Sequence, residues 1–328
     1  MVGDDTSQGQ GRPGLVLRVL ARWRGLNEWL RALIIAFAIL VFTHTFLLGW
    51  VTVRSTSMYA TLHPGDLTAV TKWPAWAGWD RGDIVVIHDP MQDDRKLGER
   101  QLMVKRVVGL PGDVVELRDG ELLVNNVPVP PWPGETRSWL VRLRKGTDAH
   151  ALLNELHLPV SGSPSDTREL ELPLNEKLAL TLRGREDVLG VERMRNARGY
   201  AAHLFPFSPY HRWNTDDYGP IIIPRQGDRV KVDTRSLPLY DRIITHYEGN
   251  DAEAVRAAIP AENGDQVTYT MRQDYYFVLG DSRHHSDDSR HWGFLPADHL
   301  VGRAWFVLLG HDLNQGGIRD DRWFTGVR

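Results

Sequence analysis

Three short segments of the 328-residue chain carry side chains whose types and spacing could support chemistry. Ser57 lies in RSTSMYATLHPGD, just past a long apolar run. A serine hydroxyl becomes a nucleophile when a base takes its proton, but a lone loop serine reads more simply as a turn or helix-cap residue. Lys105 lies in QLMVKRVVGLPGD; with the two-residue period of a strand it shares a face with Met103 and Val107. Burial between such neighbours disfavours the ammonium, lowers its pKa and leaves an amine able to accept a serine proton. The same pattern also fits an edge-strand lysine whose amine reaches water along its apolar stem. The third segment, GDSRHHSDDSRHWGFLP at 280–296, offers His284, His285, Asp287, Asp288 and His291 as metal ligands. These residues crowd one loop without the helical spacing of a HExxH site, and paired Asp and Arg read more simply as a hydrogen-bonded scaffold.

The elements that must position these groups begin with a tether. Residues 32–53 form 22 consecutive positions without a charge, roughly 33 Å of helix against a ~30 Å hydrocarbon core. The run is too long, and continues too far into Gly49, Trp50 and β-branched residues, for a cleaved signal peptide. Thr43, His44 and Thr45 are its polar positions. Arg12, Arg18, Arg22, Arg24 and Arg31 precede it, so the N-terminus is expected in the cytoplasm and everything after Val53 outside. A negative mean hydropathy excludes a polytopic membrane protein. The absence of cysteine excludes thiolate, iron–sulfur and redox-dithiol chemistry. A net charge of −3 with no basic stripe gives no nucleic-acid footprint.

Past the tether, Gly-Asp pairs stand before apolar or alternating runs at Gly65-Asp66, Gly82-Asp83, Gly112-Asp113, Gly227-Asp228 and Gly264-Asp265. Each reads as a turn that releases a strand, and VVELRDGELLVNN as a hairpin about Asp119-Gly120. No strand–helix alternation of the βαβ kind is present, so the sheet is expected to be antiparallel or mixed. The stretch 130–219, introduced by the stiff VPVPPWP, is rich in Arg, Glu, Leu and Pro and reads as an inserted lobe, with a short helix at about 174–182. Trp73, Trp76 and Trp79 suit either the interfacial zone of a bilayer or the packing of a loop on the sheet.

In order along the chain, the basic tail, the span, SxSM followed by TL and GD, GDIVV, KRVVGLPGD and GDSRxxSxDSRxWG resemble the bacterial type I signal peptidases. The resemblance covers about half the chain, 51–125 and 205–306, and LPLYDRIITHYEGN is similar to the longer family members. It implies a Ser/Lys dyad with Ser57 as nucleophile and Lys105 as general base. Ser55 and the Ser57 backbone N–H would form the oxyanion hole, and Ser286 would orient Lys105. Arg106 with Asp281, and Asp288 with Arg290, match structural ion pairs. The implied fold is mostly β: a single N-terminal transmembrane helix, then an extracytoplasmic β-rich catalytic domain with an inserted smaller lobe. The expected division is a cytoplasmic segment 1–31, an anchor 32–53, a catalytic β domain in two parts, 54–129 and 220–328, and the insert 130–219. The implied activity is cleavage of exported preproteins after small-x-small sites at the bacterial cytoplasmic membrane. Signal-peptide-bearing preproteins and the bilayer are the expected partners, with no cofactor, metal or nucleic acid. A specialised processing peptidase of one secretion system and a catalytically silent anchored binding module are the rival readings; Ser55, Ser57, Lys105 and Ser286 together weigh against silence. Two positions depart from the family pattern: Ala60 replaces a usual proline, and Arg54 a proline or apolar residue.

Overall fold

A computed structural model describes residues 23, 25–156, 158, 168–258, 267–311 and 316–327. Arg12, Arg18, Arg22, Arg24 and the Gly264-Asp265 turn lie outside the described residues. The chain divides into two compact units, 1–48 and 49–328.

The first unit contains the helix Glu28–Phe42, started by Asn27, whose side chain accepts from the Leu30 N–H. It continues as a wider π-helical turn, Thr43–Leu47, which takes in the polar Thr43, His44 and Thr45. Together Glu28–Leu47 form one 20-residue helix, long and apolar enough to cross a membrane. The apolar run expected to be helical through Val53 therefore changes structure part-way. Leu48–Thr52 is strand β1, because LGWVT is rich in strand-forming residues and has a partner strand to pair with.

The second unit is mostly β. Its main sheet runs in the order β1, β2 (Leu67–Thr71), β16 (Leu300–His311), β3 (Ile84–His88), β4 (Leu102–Gly109), β14 (Tyr275–Leu279) and β15 (Leu295–Pro296). Two short strands, β17 (Ile318–Arg319) and β18 (Thr325–Gly326), also pair with β16. The long β16 thus joins the first and last parts of the chain. A second sheet orders β11 (Tyr218–Ile222), β5 (Val114–Arg118), β6 (Glu121–Val124) and β7 (Val127–Pro128). The expected hairpin is the β5–β6 pair, its turn made by Asp119 and Gly120, both at positive φ. Gly65, Gly82, Gly112 and Gly227 all take positive φ, as turns ahead of strands require. A small sheet of β12 (Arg229–Val232) and β13 (Val267–Thr270) completes this part.

Within 130–219, β8 (Arg137–Leu143) lies between β9 (Glu169–Leu174) and β10 (Val188–Arg193). The expected short helix is Glu176–Arg183, capped by Asn175. Its Ala179 and Leu182 close a separate apolar core with Trp139, Val141 and Leu172. This is the smaller lobe inserted in the β-rich domain.

The three clustered tryptophans differ in burial. Trp79 packs against the core cluster of Val85, Ile87, Val107 and Val278, whereas Trp73 and Trp76 are exposed, with the Arg303 guanidinium 5.0 Å from the Trp73 ring. Ala60 takes φ +73, a left-handed conformation that a proline ring, held near −65°, does not reach. The loop here therefore follows a path that a proline at position 60 would forbid. Ala60→Gly should leave stability within about 1 kcal/mol of the native chain, and Ala60→Pro should lower it by about 3 kcal/mol or more. Thermal unfolding of both variants checks this; a proline variant as stable as the native chain would show that the loop conformation is wrong.

Candidate active site

The loop after β1 is closed at its base by paired backbone bonds, Val53 N–H to the Asp66 carbonyl and Gly65 N–H to the Val53 carbonyl. Inside it, the N–H groups of Thr61 and Leu62 both donate to the Met58 carbonyl, making one tight turn. Met58 and Leu62 are apolar and fully buried in the core beside Val53, so the turn is pulled inward. Ser57 comes with it and is only 5% exposed.

Lys105 sits mid-strand in β4, between β3 and β14, so it is not on an edge. Val85 is its cross-strand partner, and its same-face neighbours Met103 and Val107 pack with Val85, Ile87 and Val278. The side chain is 1% exposed, and Nζ lies 2.9 Å from Ser57 Oγ. Burial pushes the ammonium down from the usual 10.5 to about 8, with the Asp288 and Asp287 carboxylates pulling it partly back. Of the two sequence readings of Lys105, the buried amine is the one the structure has.

Ser55 Oγ lies 3.1 Å from Ser57 Oγ, and Ser55 is exposed. Ser286 is buried beside the nucleophile turn, yet its Oγ has no hydrogen-bond partner and makes no bond to Lys105. Gly280 admits this approach. A Cβ at 280 would stand 2.1 Å from Ser286 Oγ and 2.6 Å from the Ser57 carbonyl oxygen, so any side chain there would push the two loops apart. The Ser282 N–H donates to that Ser57 carbonyl at 3.0 Å.

Both expected ion pairs are present and buried. Arg106 grips Asp281 with two bonds, Nε to Oδ1 at 2.7 Å and Nη2 to Oδ2 at 2.6 Å, and donates a third to the Gly82 carbonyl. Thr61 Oγ1 also donates to Asp281 Oδ2. Asp288 receives Arg290 Nε and Nη2 and the Gly280 N–H. Burial alone would raise the Asp288 carboxyl, but Arg290 and the Gly280 N–H outweigh it and hold the pKa at about 2.

Several participants carried no signal in the sequence. Thr136, just before β8, pairs with Ser282: its N–H donates to the Asp281 carbonyl and its carbonyl accepts from the Arg283 N–H. Glu135 accepts from Arg283 at 2.7 Å, 148 residues away in sequence, and Arg283 and Arg106 lie 5.9 and 5.0 Å from the centre of the Trp132 ring. No local spacing reports contacts of such range. The histidines weighed as ligands are dispersed among protein partners. His284 accepts from the Ser138 N–H through Nδ1 and meets Asp216 through Nε2, while His285 lies against Ser138 and Glu171. Among the described residues, no group of three or more His, Asp or Glu side chains is placed to hold a metal ion.

A family model described as signal peptidase, peptidase S26, matches residues 26–166 and 221–309 of this chain. The chain belongs to that family. The break in the match, 167–220, overlaps the later part of the stretch read as an insert, while 130–166 of that stretch is matched. Signal peptidase I of Bacillus licheniformis is 38% identical over 114 residues, 34% of this chain and 58% of that protein. Signal peptidase I S of Bacillus subtilis (strain 168) is 33% identical over 107 residues, covering 32% and 53%. Signal peptidase I of Haemophilus influenzae is 36% identical over 73 residues, 21% of each chain. The chain thus spans between about a fifth and three fifths of the length of these relatives.

The buried amine has a cost that can be read out. With Lys105 titrating near 8 when folded and 10.5 when unfolded, the unfolded chain binds the extra proton between those values, so stability rises with pH across that window. At pH 7 the penalty is roughly 3 kcal/mol. Lys105→Met, of similar length and uncharged, should therefore be the more stable protein at pH 7, with the difference narrowing as pH climbs from 8 to 10.5. Melting midpoints across that range measure it, and a pH-independent difference would contradict the assignment.

Proposed function

We propose that this chain is a membrane-anchored serine endopeptidase that removes signal peptides from exported preproteins after small-x-small sites, typically Ala-x-Ala, using a Ser57/Lys105 dyad. The observation that carries this reading is the fully buried Lys105 amine 2.9 Å from Ser57 Oγ, with no carboxylate hydrogen-bonded to it among the described residues. The neutral amine takes the Ser57 proton as Oγ attacks the scissile carbonyl. The oxyanion so formed is met by the Ser57 N–H and the Ser55 hydroxyl, two donors worth about 3 kcal/mol each in acyl transfer. Lys105 then gives its proton to the leaving amine. The acyl-serine ester is hydrolysed by a water that Lys105 deprotonates, and Ser57 is regenerated.

Arg106 with Asp281 and Arg290 with Asp288 act as structural supports, each pairing a buried carboxylate with a cation. Ser286 Oγ, buried and without a partner, is the group proposed to orient the amine during turnover. The helix Glu28–Leu47 is proposed to anchor the chain in the bacterial cytoplasmic membrane with the N-terminal segment inside. Exposed Trp73 and Trp76 suit the interfacial zone. Segments 54–129 and 220–328 are proposed as the catalytic domain and 130–219 as its insert.

Detergent-solubilised protein should cleave a preprotein after its Ala-x-Ala site in the presence of EDTA, with kcat/KM rising as pH passes through about 8. Ser57→Ala and Lys105→Ala should abolish turnover while remaining folded, and Ser55→Ala should slow it by about 10² to 10³. Substantial activity in Lys105→Ala would rule out the dyad.

A further inference from the structure

The C-terminal segment 316–327 lies beyond residue 309, the last that the family model matches, and it reaches back to the nucleophile loop. Strands β17 and β18 pair with β16, and the turn Asp320–Arg322 between them lays Arg322 across Gly310. A Cβ at 310 would stand 2.7 Å from Arg322 Cβ, so glycine there makes room for the arginine. The mostly buried guanidinium donates through Nη2 to two acceptors, the Thr61 carbonyl at 3.0 Å and Asp66 Oδ2 at 2.6 Å. Asp66 is fully buried and its Oδ2 also accepts the His63 N–H, so one carboxylate and one cation hold the far end of the loop.

Thr61 is the joint between this clamp and the dyad. Its N–H closes the turn onto the Met58 carbonyl, next to Ser57, and its hydroxyl donates to Asp281, which grips the Arg106 beside Lys105. The two members of the dyad stand on separate elements, a loop and a strand, and Thr61 is bonded toward both. We infer that Arg322 is a positioning residue for Ser57: by fixing the Thr61 carbonyl it keeps the turn at 58–62, and with it Ser57 Oγ, in register with Lys105 Nζ. Misplacement of a reacting group by about 1 Å is enough to cost a hundredfold in rate. The segment 316–327 then belongs to the catalytic apparatus without touching substrate.

The inference rests on the dyad reading, and its test separates the two. In the full chain, Arg322→Gln and Arg322→Met both remove the donors, and the methionine keeps the packing over Gly310. Each should lower kcat about 10- to 100-fold with KM within about twofold of the native value. Arg322→Lys, whose ammonium carries three donors, should recover most of the rate. Amide hydrogen exchange at Tyr59, Thr61 and Leu62 should speed up in the first two variants and return toward native in the third. That readout needs no turnover. If the native chain fails to cleave, the dyad reading falls, while the exchange data still decide whether Arg322 orders the loop. Unchanged exchange, native kcat in folded variants, or a loss confined to KM would each overturn the inference.

Discussion

The site depends on an amine kept out of water. Lys105 stands mid-strand under Val85, Met103 and Val107, and its amine donates to Ser57 Oγ. A charged ammonium loses its hydration there, so the neutral form becomes accessible near pH 8. A catalytic histidine needs a carboxylate to hold its tautomer and steady its charge; a lysine general base needs the reverse, since a nearby carboxylate would keep it protonated. The surrounding charges meet that requirement in part, since Asp288 and Asp287 still draw the Lys105 amine somewhat upward. Asp281 is gripped by Arg106 and Asp288 by Arg290, each through two bonds, so both carboxylates are largely neutralised by arginine.

Holding a loop serine against a strand lysine calls for support from distant parts of the chain. The loop that follows β14 supplies the floor, through Gly280, Ser282 and Ser286. That loop is in turn held by the two ends of the stretch 130–219, on either side of the three-stranded sheet. Glu135 and Thr136 lead into it and bond Arg283 and Ser282, while Thr215 and Asp216 follow it and meet Arg290 and His284. The small lobe is a separate core on a three-stranded sheet, but its two connections are part of the frame around the catalytic loop.

The proximity of Ser57 and Lys105 was suggested in the sequence by the ordered set of motifs rather than by either residue, since local pattern left Ser57 open as a turn or cap residue. Periodicity left the lysine's surroundings open, since an edge strand and a central strand share the same alternation; β14 settles it by pairing along β4. The end of the apolar helix was misplaced by about one strand because Leu48–Thr52 continues the run without a charge, and an uncharged run does not register a partner strand. The Glu135–Arg283 pair and the Arg322 clamp are products of tertiary packing. Their partners lie tens to hundreds of residues apart, so no window of sequence contains both halves.

The most direct measurement is the titration of Lys105 itself. In protein labelled with ¹³C at lysine Cε, its resonance is identified by loss in Lys105→Met and followed by NMR from pH 6 to 12. The account predicts a midpoint near 8, moving when Ser57 is replaced by alanine. A midpoint near the ordinary 10.5 would mean that the amine is protonated and solvated at working pH, and that Lys105 is not the base.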